Sequence, residues 1–156
     1  MPDSARSTVT SATDAPPVTL LYLIKQVELA VRSRLDELAT AHGITTIQYT
    51  ALTVLERHPG VIAAQLARTS FVRAQSMTQL LDALERRGLV ERVPDPSSRR
   101  QQRIFLTPAA HDLLDEMRQP AADIEHEMTA ALTGDDVELL RELLHACRVT
   151  LAAAAS

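Results

Sequence analysis

A chain of 156 residues, 46% hydrophobic and 23% charged, is long enough to bury one sizeable core and has the balance of an ordinary soluble domain. Aromatic residues make up only 3% with no tryptophan, so that core must be aliphatic; a single cysteine excludes a disulfide framework and any CxxC metal or redox motif. The formal net charge of −4, taken whole, argues against a nucleic-acid partner, and the lack of an ~18-residue apolar run or a secretion signal predicts a cytoplasmic protein without a membrane span.

Residues 1–17 are small, polar and proline-punctuated, with too little apolar surface to offset the entropy of ordering them, and are predicted to form a disordered leader to a single domain over 18–156. Leu20, Ile24, Val27, Val31, Leu35 and Leu38 then step by three or four, the mark of a long amphipathic helix that Gly43 closes, with His42 at the negative end of its dipole. Thr45 and Gln48 make the T-x-x-Q pattern of a capping box, so a second helix starts there and runs to His58, where Pro59 and Gly60 stop it. A short piece with Ile62, Leu66 and Ala67 in helical period follows, and then RAQSMTQLLDALERRG over 73–88. In that stretch Met77, Leu80, Leu81 and Leu84 share one helical face, while Gln75, Gln79, Asp82 and Arg86 fall about 180° away. Neither Ile62 nor Arg73 is a capping residue, so each of these two helices forgoes about 1 kcal/mol at its start.

Residues 89–107 read as two β-prone runs around a polar, arginine-rich tip. Thr107 and Pro108 open a further long helix with apolar positions at Ala110, Leu114, Met117, Ala121, Ile124, Met128 and Leu132, which Pro120 is expected to kink. Thr133, Gly134, Asp135 and Asp136 start the last helix, striped by Val137, Leu140, Leu144, Cys147 and Leu151. The order predicts a mainly α fold with a small β-hairpin wing: a winged helix-turn-helix over 45–107, flanked by helices at 18–42 and 108–152. Those flanking helices carry more apolar stripe than so small a core can cover, which points to a homodimer.

The charge is unevenly placed. Residues 61–106 hold eight arginines against four acids, a local net of +4, whereas residues 107–156 carry a net of −7. Positive charge gathers where a phosphate backbone would lie. On the exposed face of 73–88, Gln75 and Gln79 with Ser76 and Thr78 stand nearest the end that enters a major groove, and glutamine bonds adenine in two places. Arg73, at the positive end of that helix dipole, fits a phosphate contact, as does Arg86, for which an ion pair with Asp82 is the competing reading.

SFVRAQSMTQLLDALERRGLVERVPDPSSRRQQRIFLT resembles the recognition helix and wing of the MarR family of bacterial transcriptional regulators, and ITTIQYTALTVLERHPG resembles its second helix; the likeness spans residues 20–151. The resemblance implies a two-fold dimer built from the N- and C-terminal helices that reads a palindromic operator in double-stranded DNA. It also implies wing arginines, here Arg99 and Arg100, in or beside the minor groove. Gln79 stands where many members have arginine, which unsettles the usual base preference, and Ser97 and Ser98 replace an acid at the tip, which predicts a looser wing. Many members release DNA on binding a small aromatic or anionic effector between the dimerisation helices and the winged helix; Tyr22, Gln48 and Tyr49 are the candidates here, with core tyrosines as the other reading. The function expected is therefore a dimeric repressor responsive to an effector. The alternative is a winged-helix interaction module without specific DNA binding.

No glycine-rich phosphate loop, positioned nucleophile or paired carboxylates suggest an enzyme, and no cofactor or metal site is read from the five histidines, whose spacing lacks a ligand pattern. Cys147, on the stripe of the last helix, reads as a small buried hydrophobe rather than a redox sensor.

Overall fold

The computed structural model describes residues 16–154, so all but the last two residues of the expected leader lie outside it. Helix α1 (Leu20–Ala41) starts at Thr19, whose hydroxyl accepts the Tyr22 N–H at 3.2 Å. It ends where His42 donates from Nδ1 to the Leu38 carbonyl at 2.9 Å and Gly43 turns the chain with φ 70°. Helix α2 (Thr46–Arg57) begins with the capping box foreseen in the sequence: Gln48 N–H donates to Thr45 Oγ1, and Thr45 N–H donates to Gln48 Oε1. Strand β1 (Val61–Ile62), helix α3 (Ala63–Thr69), helix α4 (Ala74–Arg86), strands β2 (Val90–Asp95) and β3 (Ser98–Leu106), and helices α5 (Pro108–Thr129) and α6 (Gly134–Ala154) follow.

The sheet has three antiparallel strands in the order β1-β3-β2, one more than the sequence announces. Ile62, read as the start of a helical period, lies in β1 opposite Arg103, and Val61 lies opposite Ile104. Gly60 makes this possible: at φ 79° it swings its N–H onto the Ile104 carbonyl at 2.9 Å. A two-residue strand has no period of its own to detect, and its partner is some forty residues away. Ile62 and Arg73, the residues preceding α3 and α4, give no side-chain cap, as expected, but Gln65 Oε1 accepts the Ile62 N–H at 3.1 Å and recovers part of the lost bonding for α3.

Leu52, Leu55, Leu66, Met77, Leu81, Leu84, Ile104 and Met117 form the fully buried centre. These belong to α2, α3, α4, β3 and α5, so the first half of α5 completes the winged-helix core. Thr107 joins the parts: its hydroxyl donates to the Gly88 carbonyl at 2.6 Å and accepts the Ala110 N–H at 3.3 Å, capping α5 while holding the turn after α4. Helix α5 continues through Pro120 as one element. Ion pairs Arg118–Glu56 and Arg34–Glu127, both 2.9 Å, tie it to α2 and α1.

The outer helices contrast with this core. Helix α6 has no buried residue, and Leu20, Ile24 and Val27 of α1 and Met128, Leu144 and Leu151 of α5 and α6 stand exposed. Cys147, expected in a buried stripe, is exposed in the single chain, and α6 has no buried residue among those described. Among the described residues no helix is long and apolar enough to cross a membrane.

Candidate nucleic-acid interface

Helix α4 is the element around which the interface is arranged. Met77, Leu81 and Leu84 anchor one side in the core, with Leu80 half-buried beside them, and this leaves Arg73, Gln75, Ser76, Thr78, Gln79 and Arg86 all exposed. For Gln75, Gln79 and Arg86 the sequence period and the structure agree, because three buried leucine and methionine side chains fix the helix's rotation. The start of α4 is preceded by a tight turn in which Phe71 takes φ 58°, a left-handed conformation unusual for a bulky residue, while its ring is 88% exposed. The uncapped first turn, Arg73 and the orphan N–H groups together present positive charge to the solvent.

The wing lies against this helix. Thr78 of α4 lines a groove of about 360 Å³ together with Arg99, Arg100 and Gln102 of β3 and Arg92 of β2. The recognition face and the wing tip are thus one surface. Arg99 and Arg100 are exposed and, among the described residues, make no ion pair, so their guanidinium groups are free to meet phosphate or a groove floor. The tip is tighter than expected. Asp95 Oδ1 accepts both the Ser97 N–H at 2.9 Å and the Ser97 hydroxyl at 2.8 Å, and Arg103 Nε stands 3.6 Å away. Ser97 supplies local bonding in place of the missing second acid. The Ser97 backbone N–H, then its hydroxyl, then Arg103 hold the Asp95 carboxyl below the usual carboxylate range.

Two charge assignments change. The Asp82 carboxylate is taken by Arg92, whose Nη2 lies 2.5 Å from Oδ1. Arg86 instead donates from Nε to the Asp82 backbone carbonyl at 3.3 Å and keeps its charge unpaired, so the side-chain ion pair considered for it is not made. In the sequence Arg92 is one of the eight arginines of residues 61–106 and no more. The signal that places it is strand alternation, which puts it on the same face as the buried Val90. Arg87 is likewise committed within the chain, donating at the surface to the Gly43 carbonyl.

The three effector candidates are not gathered. Gln48 spends its carboxamide oxygen on the α2 cap, Tyr49 packs half-buried against the core with burial pushing its hydroxyl pKa up, and Tyr22 is exposed near the start of α1. A cleft of about 580 Å³ does open between α1, α2 and the turn before α4, but Val31, Leu35, Ile47, Thr50, Ser70 and Phe71 are among its walls and none of the three candidates is. The Ser70 hydroxyl there is buried without a hydrogen-bond partner.

Residues 42–101 match a family model described as the MarR family. The multiple antibiotic resistance protein MarR of Salmonella typhimurium is 28% identical over 126 residues, 80% of this chain and 85% of that protein. Among solved structures, the transcriptional repressor CouR bound to a 23-mer DNA duplex superposes with a TM-score of 0.75 at 27% identity, covering 83% of this chain and 92% of that one. A cysteine-to-serine mutant of MarR from E. coli complexed with operator DNA gives a TM-score of 0.73 at 28% identity, covering 82% of this chain and 92% of the other.

Proposed function

We propose that this chain, which over residues 42–101 matches the MarR family of winged-helix regulators, is a member of it and a sequence-specific DNA-binding transcription regulator acting as a dimeric repressor. The observation that carries the reading is the common surface of α4 and the wing: Thr78 beside Arg99 and Arg100 on one groove, with Gln75 and Gln79 exposed on the same helix. Two copies related by a two-fold axis would offer two α4 helices to major-groove faces roughly 10 bp apart and so select a palindrome. Gln75 and Gln79 read base edges, with adenine favoured. Arg73 and Arg86 contact phosphate, and Ser76 and Thr78 flank the glutamines. The unpaired wing arginines suit a narrow minor groove.

An effector that loosens this dimer is consistent with the cleft between α1, α2 and the turn before α4, which lies where the DNA-reading part meets the outer helices. The walls of the cleft mix apolar and hydroxyl-bearing side chains with the charged Glu28, Arg32 and Asp36, so Arg32 offers a cation to the carboxylate of a small aromatic acid. No catalytic reaction is assigned, and a cytoplasmic location accords with a partner that is genomic DNA.

Binding to the chain's own upstream DNA, measured over a salt series for the wild type and Arg99→Ala, tests the reading. The expected outcome is a palindromic site bound with steep salt dependence, and a log–log slope shallower by about 0.9 in the variant if one phosphate contact is lost. Equal affinity for that fragment and for random DNA, with no effect of Arg99→Ala, would bring the interaction-module alternative forward.

A further inference from the structure

We infer that Arg87 is a positioning residue for DNA binding: it fastens the end of α4 to the end of α1 and so sets the half-site spacing that the dimer accepts. The inference rests on the dimeric DNA-binding reading above and assigns Arg87 a role that needs no contact with DNA.

Arg87 stands where two helices end. It is the C-cap of α4, and its Nη1 donates to the carbonyl of Gly43, the residue that turns the chain after α1. One guanidinium therefore meets the negative ends of two helix dipoles through a charge-assisted bond. The platform that offers the carbonyl is stiff. The Gly43 N–H donates to the Thr40 carbonyl and the Ile44 N–H to the Ala39 carbonyl, both at 3.0 Å, and the side chains of Ala39 and Ile44 are buried in the core. Gly43 also leaves room for the guanidinium, since a Cβ added there would already stand 3.4 Å from Arg87 Nη2. Asp36 and Arg34 tie α1 to α2 and α5 through Thr46 and Glu127, but neither touches α4. Among the described residues no other side-chain hydrogen bond or ion pair joins α4 to α1 or to the turn after it.

Small changes at this turn are amplified along α1. Ala39 is the one buried residue of that helix in the single chain, so α1 leaves the core at its last turn and carries its exposed Leu20, Ile24 and Val27 at the far end. At about 1.5 Å per residue, Val27 lies roughly 24 Å along the helix axis from Gly43. A tilt of about 8° at the turn then displaces that end by about 3.4 Å, the rise of one base pair. In a dimer joined through the far end of α1, the same tilt moves α4 against the two-fold axis. Met77, Leu81 and Leu84 fix how α4 is rotated about its own axis, and Arg87 fixes its end against the lever.

The test uses the full chain and labelled duplexes of its own upstream palindrome, with the native spacing or with one base pair inserted at the centre. Wild type, Arg87→Ala and Arg86→Ala are each titrated over a salt series. Arg87 is exposed and has helical backbone angles that alanine adopts, so that variant keeps its fold. Arg86→Ala is the charge control: it loses the same cation one residue away, from a side chain bonded only within α4. The wild type is expected to lose on the order of a hundredfold in affinity on the inserted base pair, as the second half-site falls out of reach. Arg87→Ala should lose roughly tenfold or less on the same insertion while keeping the wild-type salt slope. Arg86→Ala should keep the full insertion penalty and show a shallower slope. An undiminished penalty in Arg87→Ala overturns the inference, and so does a shallower salt slope there, which would make Arg87 a phosphate ligand. Equal relaxation of spacing in Arg86→Ala would assign the effect to charge alone and overturn it as well. Amide exchange in the free protein decides the matter without DNA: residues 42–44 should exchange faster in Arg87→Ala but not in Arg86→Ala, with β3 as in the wild type. Unchanged exchange at that turn refutes the inference even if the wild type shows no site preference and the DNA reading itself fails.

Discussion

Gly60 shows how one residue decides whether the wing is anchored. Its φ of 79° is a left-handed conformation, and a Cβ added there would stand 2.9 Å from Phe105 Cζ, so both backbone and space exclude a side chain. Gly60→Ala is expected to lower stability by about 1–2 kcal/mol, read from chemical unfolding, because alanine must pay the left-handed penalty or give up the bond to Ile104. Gln79 sits at the opposite extreme, fully outward with no intramolecular duty. Gln79→Arg should leave the unfolding midpoint unchanged and move the preferred base at its position from adenine to guanine, which binding to a set of base-substituted operators would read directly. The sequence named Gln79 because an exposed helix position follows from period alone. It does not single out Arg92, because the identity of an ion-pair partner depends on which strand comes alongside α4.

At the scale of elements, the ends of helices were legible and the pairings were not. Thr45, Thr107 and Thr133 each announce a start through a short polar side chain followed by a hydrogen bond back to its own hydroxyl, a purely local device, and Thr19 does the same for α1. Strand β1 has no such local sign. The wing tip carries a pH dependence of its own: the Asp95 carboxyl titrates below its ordinary range, so its stabilising bonds to Ser97 are complete above that range and are lost as the pH falls through the depressed value. Amide protection at residues 95–98 should therefore stay constant from neutral pH down to about 4 and fall only below it, whereas Ser97→Ala should lose part of that protection at every pH.

The whole molecule is a compact winged core with long apolar flanks that the single chain leaves open. Leu20, Ile24 and Val27 on α1 and Leu143, Leu144 and Leu151 on α6 are too many exposed hydrophobic side chains for a surface that meets only water. A second copy covering them accounts for α6 having no buried residue and for the exposure of Cys147. Sedimentation should give twice the chain mass. The double variant Ile24→Glu, Leu144→Glu should sediment as a monomer with its helical signal largely retained in the winged core, and should lose about a hundredfold or more in operator affinity as two linked half-sites become separate ones.

What the sequence determined by itself was of short range: the amphipathic faces of α1, α4, α5 and α6, the capping box of Thr45 and Gln48, the arginine-rich hairpin and the local excess of positive charge over residues 61–106. Those depend on neighbours within a few positions, and the order of elements they produce already spells a winged helix-turn-helix. Only the tertiary structure decided that Ile62 belongs to a strand, that Asp82 pairs with Arg92 rather than Arg86, and that Gln48 caps α2 while Tyr49 packs on the core. Each of these is a contest for a partner. The winner is set by which segments the folded core brings within a few ångströms, and a linear pattern does not carry that distance.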